Sequence, residues 1–186
     1  MAKRISLYFV IFLLITGVAP AQVSSPSQQQ TEASKTQAQL EAEVSKLTRE
    51  QKQLCRQILN ILDKAESVLQ DSRDGRKFSK AVAEAAPLMK KLDETLPDGV
   101  FKNLMFLDFR MYSDLGSLFV LGQAVEENGE AALDERAKKF LADASERYSQ
   151  IIGKEQASDM LDKLTVAELY SLARKTRMQT QKYVSQ

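Results

Sequence analysis

Between residues 100 and 125 the chain reads VFKNLMFLDFRMYSDLGSLFVLGQAV, its most apolar stretch outside the N-terminus. Phe101, Leu104, Met105, Asp108, Tyr112, Leu115, Leu118, Phe119, Gly122 and Val125 recur at steps of three and four, which predicts one face of a helix. Phe106, Phe109 and Val120 fall outside that stripe, so the helix is apolar on more than one side and needs several neighbours to cover it. It is expected at the centre of a bundle. Lys102, Asp108, Arg110 and Asp114 interrupt it, and the uncharged run after Asp114 is well short of the roughly 20 residues that span a bilayer.

Ahead of it, Leu40, Val44, Leu47, Gln51, Leu54, Ile58, Ile61, Ala65 and Val68 form an unbroken heptad seam. The seam predicts one long helix over 37–70, with Cys55, Leu62 and Leu69 widening the stripe in its second half. The narrower first half, Leu40, Val44, Leu47 and Gln51, is expected to project and to contact a protein partner or a second copy of the chain. Asp71–Gly75 closes the helix, with Gly75 suited to a left-handed turn position. A second helix over 77–96 follows on Phe78, Val82, Ala85, Met89, Leu92 and Leu96. Pro87 predicts a kink or break near 84–86, because proline has no backbone N–H to donate. Pro97-Asp98-Gly99 is a turn into the central helix, which should stop at Asn128-Gly129.

A further helix over 130–152 has Leu133, Ala137, Phe140, Leu141, Ala144, Tyr148, Ile151 and Ile152 on its inner face. A short segment over 155–163 and a capping-box pattern at Thr165-Val-Ala-Glu168 lead to a last helix through Leu169, Tyr170, Leu172 and Ala173. The fold expected is therefore all-α, an antiparallel helical bundle of four main helices plus a short fifth segment.

The N-terminus has a different character. Residues 1–21 combine Lys3 and Arg4, an apolar run and Ala19-Pro20-Ala21, the layout of a secretory signal peptide, so the protein is expected to be exported, periplasmic or secreted. Residues 22–39 are rich in Ser and Gln with almost nothing to bury, and are expected to be a disordered leader to a single domain over 40–186. The chain has 26 basic and 25 acidic residues, and loss of Lys3 and Arg4 with the leader tips the balance to slightly acidic. Net charge gives no case for nucleic acid. There is no His and no Trp, which excludes His-ligated zinc, Glu-x-x-His di-iron sites and His-dependent nucleophilic centres. No acidic pair or calcium-loop spacing stands out, so neither an enzyme, a metal nor a cofactor is expected.

Three clusters carry the remaining chemistry. Arg110 and Asp114 have ion-pair spacing, and with Phe106, Phe109, Met111 and Tyr112 they would line a pocket for a small molecule or lipid beside the central helix. The competing reading places Lys102, Arg110, Asp114 and Ser117 on one exposed strip. Arg174, Lys175, Arg177 and Lys182, with no acidic residue after Glu168, make a basic surface that suits either the helix dipole or peripheral contact with an anionic membrane. Cys55 is the single cysteine, expected as a buried apolar residue or as an intermolecular disulfide. The functional expectation is a non-enzymatic binding or scaffold protein acting through helix contacts, with the pocket reading as its alternative.

Overall fold

A computed structural model describes residues 26–72, 74–128, 139–140, 143 and 166–185, the side chains of 26–34, 36, 123–128 and 168 excepted. The expected signal peptide over 1–21, most of the helix over 130–152, the segment over 155–163 and Thr165 lie outside the described residues. Among the described residues the architecture is an all-helical bundle, built from α1 (Pro26–Ser45), α2 (Arg49–Ser72), α3 (Gly75–Ala83), α4 (Ala86–Thr95), α5 (Val100–Asn128) and α6 (Val166–Ser185). None of its helices is long and apolar enough to cross a membrane.

The heptad seam does not form one helix. The chain breaks at Lys46–Thr48 because Thr48 and Gln51 make a reciprocal capping box. The Gln51 amide donates to Thr48 Oγ1 at 3.2 Å, and the Thr48 amide donates to Gln51 Oε1 at 2.9 Å. Ahead of the break, the amides of Lys46 and Leu47 close back on the carbonyls of Glu43 and Val44. The first helix also begins at Pro26, inside the stretch expected to be disordered. Gln, Ala, Glu and Lys are good helix formers, and Gln37 with Glu41 and Gln39 with Glu43 are bonded at i, i+4.

Freed from α2, α1 folds onto α5. Leu40 and Val44 are buried with Leu96, Val100, Phe101 and Leu104. Glu43 Oε2 accepts from the Phe101 amide at 2.8 Å, so an α1 carboxylate caps the positive end of the central helix. Gly99 permits this approach, because a Cβ there would lie 2.6 Å from the same carboxylate oxygen. At the α4 end Lys102 donates to the carbonyls of Asp93 and Leu96, which keeps its side chain well covered.

The break at Pro87 is as the sequence predicts: α3 ends at Ala83, Glu84 and Ala85 form a turn, and Pro87 sits in the first turn of α4. Gly75 is different. It is the buried first residue of α3, after the cap Asp74, whose Oδ1 accepts from the amides of Arg76 and Lys77 at 3.0 Å each. Its lack of a side chain serves packing, since an added Cβ would stand 2.6 Å from Phe119 Cβ and 2.8 Å from the Phe119 backbone. Gly116 faces the Ser79 backbone at 3.1 Å in the same way, so α3 and α5 cross closely. Phe78 fills the crossing, stacked with Tyr112 and edge-on to Phe119. Gly75→Ala should lower stability by about 1 to 3 kcal/mol through overpacking. Equilibrium urea unfolding checks this, and an unchanged midpoint would show that α3 can back away freely.

The interior divides into two apolar clusters. One holds Leu54, Cys55, Ile58, Met89, Leu92, Phe101, Met105 and Tyr183; the other holds Leu62, Phe78, Val82, Met111, Tyr112, Leu115, Leu169 and Ala173. Asp108 on α5 and Thr176 and Thr180 on α6 are fully buried between them in sequence. Cys55 is likewise fully buried, and burial pushes its thiol up to about 12. The thiol is therefore closed to an intermolecular disulfide in the folded chain.

Candidate functional site

Two arrangements of polar residues stand out. The first is a groove of about 500 Å³ where α2 begins and α4 ends, lined by Thr48, Gln51, Gln53, Gln57, Lys91 and Thr95, with Glu50 and Leu54 completing it. Its geometry follows from the capping box. Gln51, held by Thr48, also donates through Nε2 to the Thr95 carbonyl at 2.7 Å and ties α2 to the end of α4. Gln53 and Gln57 are exposed and lie one turn apart on α2. The walls are mainly carboxamides and hydroxyls, with one cation and one anion.

The second is a buried polar belt joining α2, α5 and α6. Arg177 of α6 is only 4% exposed. Its Nε donates to Glu66 Oε1 at 3.2 Å and to the Tyr112 hydroxyl at 3.0 Å, and its Nη2 donates to Glu66 Oε2 at 3.2 Å. Nη1 reaches Asp63 at 3.0 Å and Gln181 Oε1 at 3.2 Å. Tyr112 donates its own proton to Glu66 Oε1. Burial and the Glu66 carboxylate both hold the Tyr112 phenol far above its ordinary range. Burial works against the Arg177 charge, but its hydrogen bonds to Glu66, together with Tyr112, outweigh it and keep the guanidinium protonated.

Asp108 stands beside this belt without a share in it. It is fully buried, and neither carboxyl oxygen has a hydrogen-bond partner among the described residues. Burial drives its pKa up to about 8. The Thr180 hydroxyl first, and then the Arg177 charge, moderate the shift. The Thr180 proton, however, is spent on the Thr176 carbonyl at 3.0 Å.

These positions redistribute the residues singled out by sequence. Leu40 and Val44 are inside this chain's own core, Leu47 is half-buried against it, and Gln51 lines the groove. The first helix therefore does not offer a projecting seam, because the break at Lys46–Thr48 lets α1 turn its apolar face inward. Phe106 and Phe109 are half-buried, Arg110 is exposed, and Met111, Tyr112 and Asp114 are buried. None of the six lines the groove. Nor is there a wholly exposed strip, since of Lys102, Arg110, Asp114 and Ser117 only Arg110 is exposed. Arg174, Lys175 and Lys182 are exposed, but Arg177 leaves the basic surface for the interior, drawn by Glu66. Arg174 also leans on Glu66, its Nε 3.7 Å from Oε2.

Glu66, Thr176 and Thr180 are the polar residues that sequence reasoning passed over. A signal was present. Cys55, Leu59, Leu62, Glu66 and Leu69 alternate steps of four and three, so Glu66 lies on an inward stripe. On α6, Leu169, Ala173, Thr176, Thr180 and Tyr183 do the same. The class defined by these features is an all-α bundle with a polar groove at one edge and a buried ionic belt fastening its last helix. No family model, no curated protein and no solved structure matches this chain.

Proposed function

We propose that this chain is a non-enzymatic binding or scaffold protein, exported on the strength of its N-terminal pattern, that holds a segment of a polypeptide partner in the groove between α2 and α4. The observation that carries the reading is the groove itself, about 500 Å³ and walled by Gln51, Gln53, Gln57, Thr48 and Thr95. Carboxamides offer both donors and acceptors, which is what an incoming peptide backbone requires. Lys91 and Glu50 balance each other, which gives no preference for a polyanion such as nucleic acid or an acidic membrane. Buried Glu66 and Arg177 are engaged with one another at the belt, and neither lines the groove. A lipid or apolar small molecule has less in its favour, because a groove suited to one would be lined mainly by hydrophobic and aromatic side chains.

Site-specific photo-crosslinking in the cells that make the protein tests this. A benzophenone amino acid at Gln53 or Gln57 should give a defined polypeptide adduct, while one at exposed Lys64, outside the groove lining, should not. An adduct at twice the chain mass identifies the partner as a second copy. Absence of any adduct from the two groove positions, or equal labelling from Lys64, overturns the reading.

A further inference from the structure

We propose that α6 is a proton-dependent latch, docked against α2 and α5 while Asp108 is protonated and loosened there when Asp108 ionises. The geometry at Asp108 selects its protonated form. An ionised carboxylate only accepts hydrogen bonds, so a buried one needs donors, and Asp108 has none among the described residues. The nearest hydroxyl, on Thr180, already donates to the Thr176 carbonyl. Among the described residues the cation beside it, Arg177, is turned to other partners: Nε and Nη2 bond Glu66 and Tyr112, and Nη1 bonds Asp63 and Gln181.

The other charged groups around this position give Asp108 no relief. On α2, Glu66 and Asp63 add negative charge and take up Arg177. On α6, Arg174 is half-exposed and directed at Glu66. Further along α5, Asp114 is buried with a partner of its own. The ionisable residues of α3 and α4 are exposed, and those described on α1 are exposed or half-buried.

The element that faces Asp108 meets it through polar side chains. Its inward positions in the middle turns are Thr176, Arg177 and Thr180, with buried apolar anchors at Leu169 and Ala173 on one side and Tyr183 and Val184 on the other, and Val166, Tyr170 and Leu172 half-buried against the core. Through those middle turns the helix contributes little apolar burial, and segments held by few apolar contacts open most readily. At its far end the Val184 carbonyl accepts from Arg56 Nη2 at 3.0 Å, a single further tie to α2. Ionisation of Asp108 thus falls on the polar middle of the α6 seam.

The sign follows from linkage. The acid is neutral in the docked state up to about pH 8, whereas in the undocked state it is solvated and ionises near its ordinary value of about 4. Undocking therefore releases a proton and becomes up to about tenfold more favourable for each pH unit between those limits, then levels off.

Hydrogen exchange of the full chain, corrected for the intrinsic pH dependence of amide exchange, tests the latch. Between pH 5.5 and 8.5 the protection of α6 should fall at least tenfold while staying below that of α3 throughout, and Asp108→Asn, a neutral isostere, should abolish the fall. Three results overturn the proposal: α6 protection that does not change with pH, α6 and α3 equally protected at every pH, or an Asn variant that keeps the wild-type profile. If the variant does not fold, the comparison of α6 with α3 in the wild type decides alone.

Discussion

Arg177→Met should destabilise the fold by about 3 to 5 kcal/mol, the cost of leaving a buried carboxylate without its cation. The reason is the position of Glu66, 4% exposed, with both oxygens bonded to Arg177. Among the described residues Arg174 stands ready to replace it, at 3.7 Å and from a half-exposed side chain, which places the expected loss toward the lower end. The double variant Glu66→Gln, Arg177→Met should recover much of the loss, because it removes the stranded charge and leaves a neutral amide for Tyr112. Urea midpoints of the two single variants and the double variant form the cycle. A loss below about 1 kcal/mol for Arg177→Met would mean that Glu66 is served by other groups, and the belt would not be what fastens α6.

Asp108→Asn should have the opposite sign, raising stability by about 2 to 4 kcal/mol at pH 7. Burial holds the Asp108 carboxyl at about 8 in the folded chain, against about 4 when unfolded. Within that window the unfolded chain has lost a proton that the folded chain keeps, so wild-type stability falls as pH rises and is flat above the window. The contribution is absent below about pH 4, where both states are protonated. The wild type is thus expected to be firmer at pH 5 than at pH 8, with the Asn variant nearly level between them. Thermal unfolding of both proteins across that range is the check. A wild-type profile that rises from pH 5 to 8 would contradict the burial of an unpartnered acid at this position.

The helical periodicity of this chain is local, and it was legible without coordinates. The stripe through Phe101, Leu104, Met105, Leu115 and Leu118 describes the buried side of α5, and Pro87 and Pro97-Asp98-Gly99 mark real ends. These features depend on steps of three and four and on what proline does to its own backbone. The break at Thr48 was also written locally, as Thr-x-x-Gln. A heptad seam running through the cap hid it, because seam positions keep their register across a short interruption.

The candidate groove and the belt depended on partners far apart in the chain. Nothing near Gln51 says that its amide will meet the Thr95 carbonyl, and nothing near Arg177 says that Glu66 and Tyr112 will be waiting for it. Arg177 in sequence is one of four basic residues near a helix end. In the fold it is the one turned inward, because its spacing from Ala173 and Thr180 puts it on the packed face where a buried carboxylate compensates its desolvation. Gly75 shows the same division, since a glycine after Asp74 is an ordinary turn signal until Phe119 stands 2.6 Å from where its side chain would be. By itself the sequence determined that the chain forms helices, where several of them end and which faces are apolar, because those follow from neighbours within a turn. Tertiary structure alone decided which polar residues are buried together, because charge burial is favourable only when a distant partner arrives at the same place.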